Sequence, residues 1–129
     1  MGRPPAGRGG ASVNPAYLVG VGGVLGALAR HLVYAAVSRG ADVPRGTLAV
    51  NVAGSLALGA LTAAGASESA LLFLGTGACG AFTTFSSFSV ETVQLWDRGK
   101  RRTAAANAAL NLALSLAAVL VGGTVVGLV

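Results

Sequence analysis

Gly75-Thr76-Gly77-Ala78-Cys79-Gly80-Ala81-Phe82-Thr83-Thr84-Phe85-Ser86-Ser87-Phe88-Ser89 carries no charge, and it lies inside a longer uncharged segment from Ser69 through Val90. Two more segments lack Lys, Arg, Asp and Glu: Gly46 through Ser67, and Thr103 through Val129. A helix rising about 1.5 Å per residue crosses a bilayer in about 20 apolar residues, so each segment is long enough to span one. Only 10% of the 129 residues are charged and 53% are hydrophobic, whereas a soluble domain carries roughly 25% charged residues. The chain reads as an all-α integral membrane protein.

Working outward, Pro15 opens a first span, Ala16 to Val37, which Ser38-Arg39-Gly40 closes. Asp42, Pro44 and Arg45 form a short loop. Gly46 to Ala66 is the second span, about Ser69 to Trp96 the third, and about Thr103 to Val129 the fourth, after the basic loop Asp97-Arg98-Gly99-Lys100-Arg101-Arg102. Residues 1–14, rich in Gly, Pro and Arg, read as a disordered tail, and 15–129 as one up-down-up-down domain of four transmembrane helices.

The third span is the odd one. Three glycines, Gly75, Gly77 and Gly80, precede five hydroxyl residues at membrane depth. Glycine costs a helix interior about 1 kcal/mol, and a Thr-Thr pair adds β-branched stiffness, so a break near Gly80 to Thr84 is expected. Freed carbonyls there could hold a cation and freed N–H groups could face an anion. A continuous helix whose small residues serve close packing is the alternative.

The net charge of +5 does not point to nucleic acid, because the basic residues cluster at span ends without a basic groove of interleaved aromatics. They read as topology signals. Cys79 is the single cysteine, so no intramolecular disulfide and no Cys/His metal spacing exists. No paired carboxylates, nucleophile–base set or metal set falls at membrane depth, which argues against an enzyme.

Individual side chains narrow the chemistry. Phe85 and Phe88 are three apart, on one helix face, and an aromatic edge is positive enough to meet a small anion. Asn51 in mid-membrane must face a pore, where its amide donates, or a neighbouring helix. Thr84, Ser87, Phe88 and Glu91 share a face, a hydroxyl stripe ending in a carboxylate, while Ser86 or Ser89 suits back-bonding to the helix's own carbonyls. Arg30 either snorkels or raises anion concentration at a pore mouth, and His31 beside it reads as interfacial. Gly22 with Gly26, and Ser55 with Gly59, are small-xxx-small pairs that let helices approach.

From about Gly22 onward the chain resembles the Fluc/CrcB fluoride-channel family. The resemblance rests on Gly26-Ala-Leu-Ala-Arg30, on Gly46-Thr-Leu-Ala-Val-Asn51 with Gly54 and Ser55, and on the highly specific Gly80-Ala-Phe-Thr-Thr-Phe-Ser-Ser-Phe-Ser-Val-Glu91. It implies a multi-pass channel of the cell membrane, assembled as an antiparallel dimer with two narrow fluoride pores and a structural Na+ at the interface. It also implies roles. The Gly80 and Thr83 carbonyls would hold the sodium, Phe85 and Phe88 would be the paired pore phenylalanines, and Asn51 the pore amide with Thr47 one turn before it. Thr84, Ser87 and Glu91 would belong to the polar rail, and Arg30 to the vestibule. In the fourth span many relatives have Tyr where this chain offers Asn111, four residues before Ser115, a further candidate pore residue.

On this reading the protein passively exports cytoplasmic fluoride. Two other classes stand beside it. A small proton-coupled exporter needs an acid near the midplane, yet Asp42, Glu68, Glu91 and Asp97 all lie near span ends. A non-transporting assembly subunit leaves the Gly80 to Glu91 constellation without a purpose.

Orientation follows from the loops. Arg3 and Arg8 share one side with the 2–3 loop, which has no Lys or Arg, while Arg39, Arg45, Arg98, Lys100, Arg101 and Arg102 occupy the other. That bias favours both termini outside and a heterodimer with a related, oppositely oriented subunit. A dual-topology homodimer is the counter-reading, if the N-terminal tail crosses readily.

Overall fold

In a computed structural model, residues 13–37 and 44–128 are described. Of the tail expected over residues 1–14, residues 1–12 lie outside the described residues, as does the Ser38-Arg39-Gly40 and Asp42 part of the first loop, while Asn14 Oδ1 accepts from the Ala16 N–H at the start of α1. Among those described there are helices and no strands. They are α1 (Pro15–Val37), α2 (Arg45–Ala63), α3 (residues 68–82), α4 (Phe85–Asp97) and α5 (Arg101–Gly127). With α3 and α4 taken as one crossing, Glu68–Asp97, four helices are long and apolar enough to span a membrane.

Local chemistry sets the ends. Ser67 caps α3, its Oγ accepting from the Ala70 N–H. The turn from α4 to α5 uses Gly99 at φ 75°, with Gly99 N–H donating to Trp96 O and Lys100 N–H to Leu95 O, both at 2.9 Å. That double bond at a left-handed glycine satisfies the last carbonyls and reverses the chain in three residues. Arg101 then stacks its guanidinium 5.1 Å from the Trp96 ring centre, so α5 begins two residues earlier than its charge-free segment.

The helices meet through small residues. A Cβ on Gly122 of α5 would collide with the Leu56 carbonyl of α2, and one on Gly59 of α2 with the Val119 carbonyl of α5. Gly22 and Gly26 of α1 stand in the same way against the Phe73 and Ala78 carbonyls of α3. In lipid no hydrophobic force drives helices together, so such close backbone approach is where dispersion is gained. Gly22 and Gly26 thus mark a real contact of α1 on α3, and Gly59 one of α2 on α5, while Ser55 lines a cavity. Over Leu71–Cys79 α3 runs as a π-helix, wider than an α-helix and bonded from each N–H to the carbonyl five residues before it, which the sequence reading did not anticipate. Most large apolar side chains, such as Leu28, Leu32, Leu112 and Leu120, point outward, as suits a surface solvated by lipid.

The close approach makes a prediction. Gly122→Val forces a branched side chain onto a backbone carbonyl and should cost about 3 kcal/mol or more. Gly20→Val, where nothing lies within 4 Å, should be neutral. Thermal denaturation followed by size-exclusion elution in detergent checks this, and equal midpoints for the two variants would contradict the packing described.

Candidate functional site: the break between α3 and α4

Thr83 and Thr84 leave the helix, with φ −78°, ψ 163° and φ −152°, ψ 119°. Both values are extended backbone that β-branched residues adopt readily. Thr83 closes α3 by giving its N–H and its Oγ1 hydrogen to the Cys79 carbonyl, each at 3.0 Å. Thr84 opens α4 as its cap, its Oγ1 accepting from the Ser87 N–H at 3.1 Å. The expected break is present, and the continuous-helix alternative is not what the chain adopts.

The break redirects two donors. The Thr84 N–H, which in an unbroken helix would reach the Gly80 carbonyl, goes to Asn51 Oδ1 at 2.8 Å. The Ser87 N–H, which would reach the Thr83 carbonyl, goes to the Thr84 side chain. The two carbonyls singled out in the sequence therefore both lose their helical donors, and Gly80 and Thr83 both line a cavity of about 440 Å³. Backbone carbonyl oxygens are hard donors of the kind that could hold a hard cation.

The same cavity collects most of the predicted residues. Asn51, Thr84, Phe85, Phe88 and Ser115 line it, together with Asn111. Phe85 is 79% exposed into this open groove, and its ring centre lies 5.7 Å from that of Phe88, with planes tilted by 47°. A second, polar cavity of about 400 Å³ is lined by Arg30, Ser87, His31, Tyr34, Ser86 and Ala27 together with Thr84. Thr84 is the residue shared by both.

Thr47 and Glu91 line neither cavity. They bond to each other: buried Thr47 donates to Glu91 Oε1 at 2.8 Å, and its hydroxyl accepts in turn from Tyr34. Glu91 Oε2 is buried without a partner, a costly state for a carboxylate oxygen. The hydroxyl stripe is only partly continuous. Thr84 Oγ1 donates to Ser87 Oγ at 3.2 Å, Ser89 back-bonds to Phe85 O at 2.9 Å, and Ser86 instead sits 3.4 Å from Thr84 Oγ1.

Asn51 faces both a cavity and a neighbouring helix. Its Nδ2 donates to Thr84 O at 3.2 Å and to Asn111 Oδ1 at 3.0 Å, so both amide hydrogens are engaged. Tyr34, Thr92 and Asn107 were missed in the sequence reading. Asn107, Asn111 and Ser115 recur every four residues in an uncharged segment, a polar stripe that spacing alone could have revealed. Tyr34 gave no signal apart from that of any aromatic near a span end.

Residues 17–123 match the family described as CrcB-like protein, Camphor Resistance (CrcB). The chain is 57% identical over 97 residues to "Fluoride-specific ion channel FluC 2" of Haloarcula marismortui, covering 75% of this chain and 81% of that protein. It is 52% identical over 99 residues to "Fluoride-specific ion channel FluC 1" of Halobacterium salinarum, covering 77% and 82%. Against "Fluoride-specific ion channel FluC 1" of Nocardia farcinica it is 47% identical over 108 residues, covering 82% and 75%. The family match, residues 17–123, runs from α1 into α5 and so includes the Thr83–Thr84 break. With four membrane-length helices and that agreement along most of its length, the chain is a multi-pass plasma-membrane protein and belongs to the CrcB-like family.

Proposed function

We propose that the protein is a passive fluoride-selective channel through which fluoride leaves the cytoplasm. The observation that carries this reading is the break at Thr83–Thr84, beside which Phe85 and Phe88 line one cavity together with Asn51 of α2. The names of the relatives support fluoride as the ion. Fluoride is small and strongly hydrated, so a path through the membrane must replace its water with donors. Ring edges are weak donors without a fixed positive charge, and an ion can leave them again, whereas an Asn51 amide hydrogen would have to leave Thr84 O or Asn111 Oδ1 to meet the ion. Arg30 in the polar cavity draws anions toward its mouth.

Passive flow suffices for export. Neutral HF enters from acidic surroundings and dissociates inside, and the membrane potential then drives the anion out. The groove beside Phe85 is open in the single chain, which supports assembly as a dimer of antiparallel subunits, either a homodimer or a pair with a related subunit. In that assembly the Gly80 and Thr83 carbonyls of both subunits would hold a Na+ ion. Its positive charge would fix the four oxygens and the broken backbone in place.

Vesicles loaded with fluoride and containing the purified protein should release it rapidly under a permeant counter-ion, while chloride-loaded vesicles release little. Equal release of both anions, or none of fluoride, would overturn the reading.

A further inference from the structure

We propose that the turn between α4 and α5 binds the headgroup of an anionic phospholipid, with Arg98, Arg101 and Arg102 holding its phosphodiester. This inference concerns the bilayer and not the transported ion, so it stands apart from the channel reading.

The charges at this turn work against the helix they open. α5 begins with Arg101 and Arg102, has no acid in its first turn, and has no side-chain cap. The N-terminal end of a helix already carries about half a positive charge, so cations there oppose the helix instead of supporting it. From Thr92 to Val129 the only acid is Asp97, set against Arg98, Lys100, Arg101 and Arg102. Among the described residues none of the three arginines is paired with a carboxylate. The chain therefore gathers positive charge that it does not neutralise here, and an outside anion is the natural complement.

Position says which anion. α4 completes one membrane crossing and α5 starts the next, so the turn lies at the level of the lipid phosphates. A topology signal needs charge alone, but this turn has more than charge. The Arg101 guanidinium lies 5.1 Å from the Trp96 ring centre. Stacking through its face orients the planar group and leaves the N–H groups on its edge for two oxygens of a phosphodiester. Below the arginines the surface is apolar. Trp96 is 52% exposed, and Val93, one turn deeper on the same face of α4, is 58% exposed. A soluble phosphate would use only the arginines, whereas a lipid bound by its headgroup also lays its acyl chain along Trp96 and Val93.

Trp96 is the single tryptophan, so its fluorescence reports from the site itself. The protein is placed in phosphatidylcholine vesicles containing a minor fraction of phosphatidylglycerol, with bromine in the acyl chains of one lipid or the other to quench a nearby indole. Molecule for molecule, brominated phosphatidylglycerol should quench at least about fivefold more effectively than brominated phosphatidylcholine, the scale for a single cation at an anionic surface. Taking this ratio within each variant cancels any change in unquenched emission. Arg101→Gln should lower the ratio severalfold, and replacing all three arginines by Gln should bring it to about unity. Arg45 is the control. The Asn51–Asn111 and Gly59–Val119 contacts share one offset, so α2 and α5 run parallel and exposed Arg45 opens α2 at the same end of the bundle. Arg45→Gln removes the same charge from that end and should leave the ratio unchanged. A ratio near unity in the unmodified protein would overturn the proposal whether or not any variant folds. Equal losses in Arg45→Gln and Arg101→Gln would overturn it in favour of diffuse surface attraction, and loss of the preference in excess inorganic phosphate would overturn it in favour of a soluble anion.

Discussion

Asn51→Asp should lower fluoride efflux about a thousandfold. Aspartate keeps the oxygen that accepts from the Thr84 N–H, so the break between α3 and α4 retains its tie to α2. The other end of the side chain changes from donor to acceptor. It then faces the Thr84 carbonyl and the Asn111 Oδ1, positions now 3.2 and 3.0 Å from Nδ2, and both are acceptors. Asn111 can turn over to relieve one clash, but the charge stays beside the cavity. A unit charge about 4 Å from a passing anion repels it by about 4 kcal/mol at an effective dielectric constant of about 20, which is a factor of about a thousand. Efflux measured beside the elution profile decides the matter. A variant that elutes like the wild type and still carries fluoride at the normal rate would show that Asn51 only joins helices.

How far such a site can be read from sequence depends on whether the signal is local. Three of the four crossings follow from the charge gaps, because a charge in lipid is costly wherever the chain goes, and the first follows from its apolar length despite Arg30. The break follows from Gly80, Thr83 and Thr84, whose backbone preferences act within a few residues. Even the ends shift for local reasons. Ala63 rather than Ala66 ends α2, since Gly65 takes φ 62° and the chain turns there.

What spacing could not supply is partner identity. Asn51 was legible as an amide needing a partner, but Thr84 and Asn111 lie 33 and 60 residues away, on other helices. Glu91 looked like the end of a stripe on its own helix, and its actual donor is Thr47 on α2. The wide turns of Leu71–Cys79 escaped notice for a related reason. The residues that press on that segment, Gly22 and Gly26, belong to α1, and the sequence of α3 alone does not contain them.

Phe85→Ile and Phe88→Ile should each slow fluoride efflux at least about tenfold while the protein elutes and melts as before. Isoleucine is apolar and nearly as bulky, so it preserves what a packing residue contributes. It removes the ring edge, whose positive rim is worth about 1 kcal/mol to a suitably placed electron-rich partner and more where water is excluded. Phe85 offers the cleaner case. At 79% exposure it has little packing to lose within the chain, so reduced flux cannot be ascribed to a collapsed core. Its ring also lies 5.7 Å from Phe88 at a 47° tilt, so the two rings do not present the same edge to the cavity. If an ion passes from one edge to the other, losing either breaks the path, and the double variant should be scarcely slower than the worse single one. If the rings only stack, the singles should carry fluoride normally and lower the thermal midpoint instead. Efflux and melting of the two singles and the double therefore separate an ion path from an aromatic contact.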